Sequence, residues 1–257
     1  MFREYLFYNR IKREMSNTSP NNQNKESYIT IPIAERKTSA NSKVQNLSNE
    51  QFELLLNNLQ GKTTIGNPTS LGLGAFALTT FMLSVFNAGS NLIDKQLEEV
   101  VLPVALFYGG FAQFAAGMWE FRINNTFGGT AFTSYGAFWM SFAAYVYFII
   151  PKISSTGKVQ NATGLFLLSW FLFTVYMNVA AVKTSKLLFI LFATLNITFL
   201  LLIIGNLRNI SVLINVGGWF GIITAFIAWY GSAAILIDLT WNTNILPIGI
   251  FHPKPKK

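Results

Sequence analysis

Residues 187–207 read LLFILFATLNITFLLLIIGNL, a stretch without a single Asp, Glu, Lys or Arg. A helix rises about 1.5 Å per residue, so about 20 apolar residues cross a hydrocarbon core of about 30 Å. Six uncharged windows of this length lie between Thr63 and Asp238. Because the helices of a soluble protein carry charge on their outer faces, the sequence predicts an all-α integral membrane protein with six spans.

The composition supports helices over a membrane β-barrel. Hydrophobic residues make up 51% of the chain and charged residues 12%, and barrel strands would alternate polar and apolar residues over segments of about 10 residues. Here the apolar runs are continuous instead. The predicted spans are Leu71–Asn91, Val101–Phe121, Ala131–Ile150, Thr163–Val182, Leu187–Gly205 and Val212–Ile237.

The positions of the basic residues predict the orientation in the membrane. Basic residues concentrate on the cytoplasmic side of membrane proteins. With both termini cytoplasmic, the inner segments carry 15 of the 19 Lys and Arg residues and the outer loops carry four. We therefore expect both termini in the cytoplasm, and we expect the net charge of +8 to reflect this topology, with no nucleic-acid partner.

Three regions follow from this pattern. Residues 1–62 form a polar tail rich in Asn, Ser, Lys and Glu, which is predicted to be cytoplasmic and largely disordered, with a short helix over Leu47–Leu59. Residues 63–240 form the six-span membrane domain. Residues 241–257 form a basic cytoplasmic tail.

The densest group of polar residues lies between the second and third spans. Polar groups at membrane depth usually face a cavity or another helix. For Glu120 and Arg122 the sequence leaves open an ion pair at the span end or a place on a substrate path. For Gln113 it leaves open a hydrogen bond between helices or a path-lining role. The other polar residues of this group are Asn124, Asn125, Thr126, Thr130, Thr133, Ser134 and Tyr135.

The sequence favours neither catalysis nor metal binding. The chain has no cysteine and a single histidine, and its spans contain no pair of carboxylates and no nucleophile beside a base. We therefore expect no enzyme activity, no cofactor and no metal site.

The stretch that opens the first span resembles a family signature. Asn67-Pro68-Thr69-Ser70-Leu71-Gly72-Leu73 is similar to NPAPLGL of the acetate uptake transporters, with Asn67, Pro68, Leu71, Gly72 and Leu73 matching and Thr69 and Ser70 replacing Ala and Pro. Similar runs continue in order through the membrane domain. They include FYGG at 107–110, NTFG at 125–128, TAFTSYGAFW at 130–139, GW at 218–219 and LPIG at 246–249.

The resemblance implies a specific architecture. It implies six helices around a narrow central path, a homo-hexamer, and a constriction that maps to Phe76, Tyr135 and Leu195 of this sequence. Leu195 rests only on spacing from Gly205. An apolar neck excludes water and bare ions, and the polar residues expected along the path are Asn87, Gln113, Glu120, Asn125, Thr126, Thr133, Ser134 and Asn196.

The resemblance also implies a function. We expect a plasma-membrane transporter of acetate and similar small monocarboxylates, extending to succinate, coupled to protons, and the Asn-rich tail favours a fungal-type member. A channel or symporter mechanism is left open. The alternatives are a channel or exporter of ammonium or another small solute, and a membrane nutrient sensor that does not transport.

Overall fold

The computed structural model describes residues 65–89 and 92–249. Six helices in these ranges have the length and hydropathy of a membrane span, which confirms the predicted all-α membrane fold. They are α1 (Thr69–Asn87), α2 (Lys95–Arg122), α3 (Thr126–Thr156), α4 (Val159–Ala181), α5 (Lys186–Arg208) and α6 (Ser211–Trp241). The predicted tail 1–62, its helix over Leu47–Leu59, and residues 250–257 lie outside the described residues. The cytoplasmic position of both termini stays a prediction.

Several helix boundaries differ by four to six residues from the predicted span ends, and local backbone chemistry explains two of these differences. Helix α3 begins at Thr126 instead of Ala131, because the Asn125 side chain accepts the Gly128 N–H at 3.1 Å and caps the first turn. Helix α1 ends at Asn87 instead of Asn91, since Gly89 follows with a φ of +120°. That backbone angle is readily adopted only by glycine.

Each helix packs against one or more of the others, and α1 is the most buried of the six. Helix α1 packs along α6 and also contacts α2, α5 lies between α4 and α6, and α2 pairs with α3. Small residues allow close approach. A Cβ at Gly136 of α3 would lie only 2.6 Å from the backbone nitrogen of Phe114 on α2. Residues at the starts of α1, α3 and α5 line one common cavity, so these three helix starts lie together at one end of the bundle.

Two spans depart from regular α-helix. Residues Phe107–Ala112 of α2 and Tyr145–Ile149 of α3 form π-helical turns. A π-turn adds one residue to the ladder and rotates the residues that follow it, and such turns are frequent at functional sites. The first of them ends directly before Gln113.

Aromatic and aliphatic side chains fill the interior, and apolar side chains also cover the outside. Phe76, Phe132, Tyr135, Phe138 and Phe199 belong to one buried cluster. The outer faces expose many large apolar residues, among them Phe107, Tyr147 and Val179, and a bilayer is the environment that such a surface requires.

Candidate functional site

Two cavities enter the bundle from opposite ends. The first, named here the Gln113 cavity, measures about 50 Å³ and lies among the starts of α1, α3 and α5 and the second half of α2. The second, named here the Asn87 cavity, measures about 280 Å³ and lies at the end of α1, where α2 begins and α3 and α5 end. A solute that crosses the bundle meets a small chamber at one end and a larger one at the other.

Gln113 is the most unusual polar group of the smaller chamber. Its side chain lines the Gln113 cavity and is 1% exposed, and neither Nε2 nor Oε1 has a hydrogen-bond partner among the described residues. A buried polar atom without a partner costs about 1–3 kcal/mol. The structure therefore shows no hydrogen bond of Gln113 to another helix, and the side chain lines the cavity instead.

Glu120 forms hydrogen bonds to two helices instead of an ion pair. The carboxylate is fully buried; Thr69 Oγ1 donates to one oxygen and Asn125 Nδ2 donates to the other at 2.7 Å. Arg122 is exposed. The ion pair considered from the sequence was wrong, because α2 turns Glu120 inward against the start of α1 while Arg122 points away. Glu120 thus joins three helices behind the cavity, since Thr69 and Asn125 line it.

Two of the three predicted constriction residues meet at the inner wall of the Gln113 cavity. The rings of Phe76 and Tyr135 pack edge to face with their centroids 5.5 Å apart, and both residues line the cavity. Phe192 of α5 lies beside Tyr135, with centroids 6.1 Å apart. These aromatic side chains restrict the inner end of the chamber.

Beyond these rings a barrier layer separates the two cavities, formed by Phe138, Leu195 and Phe199. All three residues are buried and line neither cavity. From Phe76 to Leu83, which line the two cavities on α1, the helix rises about 10 Å. On α5, Leu195 follows Phe192, which lines the Gln113 cavity, by about one helical turn. The place of Leu195 in the constriction stays a prediction.

One relevant residue escaped the sequence analysis. The Tyr135 hydroxyl lies 2.8 Å from Oγ1 of Thr174 on α4, and both side chains are buried. Thr174 Oγ1 also lies 2.8 Å from the Trp170 carbonyl oxygen, to which it donates. Only the tertiary fold reveals this contact, because 39 positions separate the two residues and no motif links them.

The remaining predicted polar residues are spread over the molecule. Asn87 lines the larger cavity. Thr126 is exposed at the start of α3, Thr133 donates to the Gly129 carbonyl oxygen at 2.6 Å, and Ser134 is half-buried. Asn196 Oδ1 is buried without a partner among the described residues, but Asn196 lines neither cavity. The structure thus groups only Gln113 and Asn125, with Glu120 behind them, at the small cavity.

Of the five matching signature residues, only Leu73 lines that cavity. Asn67 Oδ1 accepts the N–H of Thr69 at 2.9 Å at the start of α1, and Pro68 directly precedes this helix. Gly72 lies against the ring of Phe132, Leu73 lines the cavity, and Leu71 faces outward.

The comparison with known proteins places this arrangement in a family. Residues 56–248 match the GPR1/FUN34/yaaH family. The chain belongs to this family. It is 47% identical to ammonia transport outward protein 2 of Saccharomyces cerevisiae over 65% of this chain. It is 37% identical to the succinate-acetate/proton symporter SatP of Escherichia coli over 75% of this chain and 100% of that relative.

A solved structure shares the membrane domain. The structure described as the bacterial acetate channel SatP is 35% identical, with a TM-score of 0.65, over 72% of this chain and 99% of that chain. The match to the yeast relative spans 60% of that relative's length. The resemblance found in the sequence is thereby confirmed, and the chain is a multi-pass membrane protein of this family.

Proposed function

We propose that this protein transports acetate and similar small monocarboxylates, and succinate, across the plasma membrane together with protons. The observation that carries the proposal is Gln113, a fully buried amide without a partner among the described residues, in a chamber closed by Phe76 and Tyr135. The names of two relatives, a succinate-acetate/proton symporter and an acetate channel, support the choice of substrate. Transport without covalent chemistry is the role proposed here.

The chamber suits a small molecule with one polar end. The Gln113 amide offers two N–H donors and one acceptor, while the rings of Phe76 and Phe192 and the side chain of Leu191 offer apolar contacts. A carboxyl group bound to Gln113 then has its short alkyl chain against the rings. The barrier layer excludes water and bare ions, since an apolar constriction repels them.

The orientation follows the distribution of basic residues. With both termini in the cytoplasm, the Gln113 cavity opens to the cytoplasm and the Asn87 cavity opens to the outside. In this arrangement residues 1–62 and 241–257 form cytoplasmic tails. A homo-hexamer, with one path in each subunit, is part of the proposal and rests on the family resemblance.

Ammonium is the second candidate cargo. The name of the yeast relative, ammonia transport outward protein 2, favours it, and so does the Glu120 carboxylate behind the cavity wall. A nutrient sensor without transport is the third. Measured fluxes separate the three, because a sensor carries neither cargo.

The test is uptake of labelled acetate into liposomes that contain the purified protein, with and without an imposed pH gradient. We expect uptake above protein-free liposomes, stimulation by the gradient, and loss on adding a protonophore. Phe76→Ala and Tyr135→Ala should each change the rate, whereas Phe148→Ala, at an exposed position far along α3, should not. Protein-dependent ammonium flux without acetate flux would show that ammonium is the cargo. If the protein carries neither acetate nor ammonium, the sensor hypothesis would be favoured.

A further inference from the structure

We propose that the Gln113 cavity recognises the uncharged acid form of its cargo. Thr174 determines this preference by accepting a hydrogen bond from the Tyr135 hydroxyl. The inference rests on the proposed function and names the chemical form of its substrate. It makes Thr174 a positioning residue that acts through Tyr135.

The direction of the hydrogen bond at Tyr135 follows from counting hydrogens. A threonine hydroxyl has one hydrogen and two lone pairs. Thr174 Oγ1 donates its hydrogen to the Trp170 carbonyl oxygen at 2.8 Å. The hydrogen in the 2.8 Å contact between Tyr135 and Thr174 therefore comes from tyrosine, and Tyr135 retains only lone pairs for other partners.

The other polar groups of the cavity are also largely engaged as donors. The Thr69 hydroxyl donates to Glu120, and Asn125 Nδ2 donates to the same carboxylate at 2.7 Å. Asn125 Oδ1 accepts the Gly128 N–H. The donors that stay available are the Gln113 amide and the second N–H of Asn125, and the available acceptors are Gln113 Oε1 and the oxygens of Tyr135 and Thr69.

The charges around the cavity oppose an anion. None of the described residues that line it is Lys, Arg or His. The carboxyl group of Glu120 is fully buried and accepts hydrogen bonds from Thr69 and Asn125, which line the cavity. A carboxylate anion here would have no compensating cation in the lining, and burial of an unpaired charge is strongly unfavourable.

A protonated carboxylic acid fits the same groups. Its carbonyl oxygen accepts from the Gln113 amide, and its O–H finds an acceptor in Gln113 Oε1, Tyr135 or Thr69. The carboxylate takes up one proton in the water on one side, crosses as the intact acid, and releases that proton on the other side. One proton thus moves with each carboxyl group, and no side chain of the protein has to be protonated in turn.

The experiment compares two inhibitors of nearly equal size and opposite character. Trifluoroacetamide is neutral and carries N–H donors, whereas trifluoroacetate is an anion at neutral pH. In liposomes with the wild-type protein, we expect the amide to inhibit labelled acetate uptake at a concentration at least about tenfold lower than the anion does. In Thr174→Val the Tyr135 proton is released for an anion, so the preference should shrink by about tenfold.

A matched control and a second variant keep the result interpretable. Thr198→Val also removes a buried threonine hydroxyl that donates to a carbonyl four residues earlier, and it should retain the wild-type preference. If Thr174→Val does not fold, Tyr135→Phe removes the tyrosine hydroxyl that Thr174 orients, and the advantage of the amide should shrink without any gain for the anion. Equal inhibition by amide and anion in the wild type, or an unchanged preference in the folded Thr174→Val or in Tyr135→Phe, would overturn the inference. Absence of acetate uptake altogether would instead reject the proposed function.

Discussion

Replacing Gln113 by leucine should stabilise the protein and abolish much of its transport. Two side-chain atoms of Gln113 are buried without a partner among the described residues, and each such atom costs about 1–3 kcal/mol. Leucine removes both and occupies a similar volume, so we expect a gain of about 2 kcal/mol. For a protein of this size each kcal/mol shifts the melting temperature by about 2–4 °C. Gln113→Leu should therefore melt about 4–8 °C higher in detergent.

The same substitution should lower acetate uptake in liposomes at least about fivefold, since the Gln113 amide can form two hydrogen bonds to the carboxyl group and each contributes about 0.5–1.5 kcal/mol. Gln160→Leu, at an exposed position on α4, is the control for both measurements and should change neither. A higher melting temperature together with a lower uptake rate distinguishes a binding residue from a structural one. A lower melting temperature of Gln113→Leu would show that Gln113 holds helices together, and wild-type uptake would remove it from the path.

Three further substitutions test the packing and the cavity wall. Gly136→Ala should lower the melting temperature by several degrees, because its Cβ would lie 2.6–2.8 Å from backbone atoms of α2. Gly164→Ala should lower it less, because that Cβ would contact only the flexible side chain of Leu207. Equal melting temperatures of the two variants would contradict this account of helix packing. Glu120→Leu should destabilise by about 2–4 kcal/mol because two donors lose their acceptor, while Glu120→Gln should cost under about 1 kcal/mol in the same thermal assay. Ser70→Pro should fold, since the second residue of a helix needs no N–H partner within the helix; unchanged uptake would show that the departure from the signature does not weaken transport.

The sequence predicted the spans well because each membrane-spanning segment contains a continuous stretch of residues without charge. Each uncharged window corresponds to one helix, since every backbone group of a span must be satisfied within that span. The boundaries were less accurate. Asn125 both belongs to a polar loop and caps α3, and composition alone does not distinguish the two roles.

The site was predicted in part, and the failures have a common cause. Phe76, Tyr135 and Gln113 were identified and do meet at one cavity. The bonds of Glu120 to Thr69 and of Tyr135 to Thr174 were missed because the partners are 51 and 39 positions apart. Neither pair leaves a periodic signal, and the nearby Arg122 offered a simpler partner for Glu120 than the structure uses.

The barrier layer also decides where a membrane voltage acts. Water that enters both cavities conducts the potential to within about 10 Å of helix length, roughly a third of the hydrocarbon thickness. The electric field is then concentrated at Phe138, Leu195 and Phe199, and a unit charge exchanges about 2.3 kcal/mol per 100 mV within about two helical turns. A charged cargo would be driven or retarded at that single place, whereas an uncharged cargo would cross at a rate that the voltage leaves unchanged.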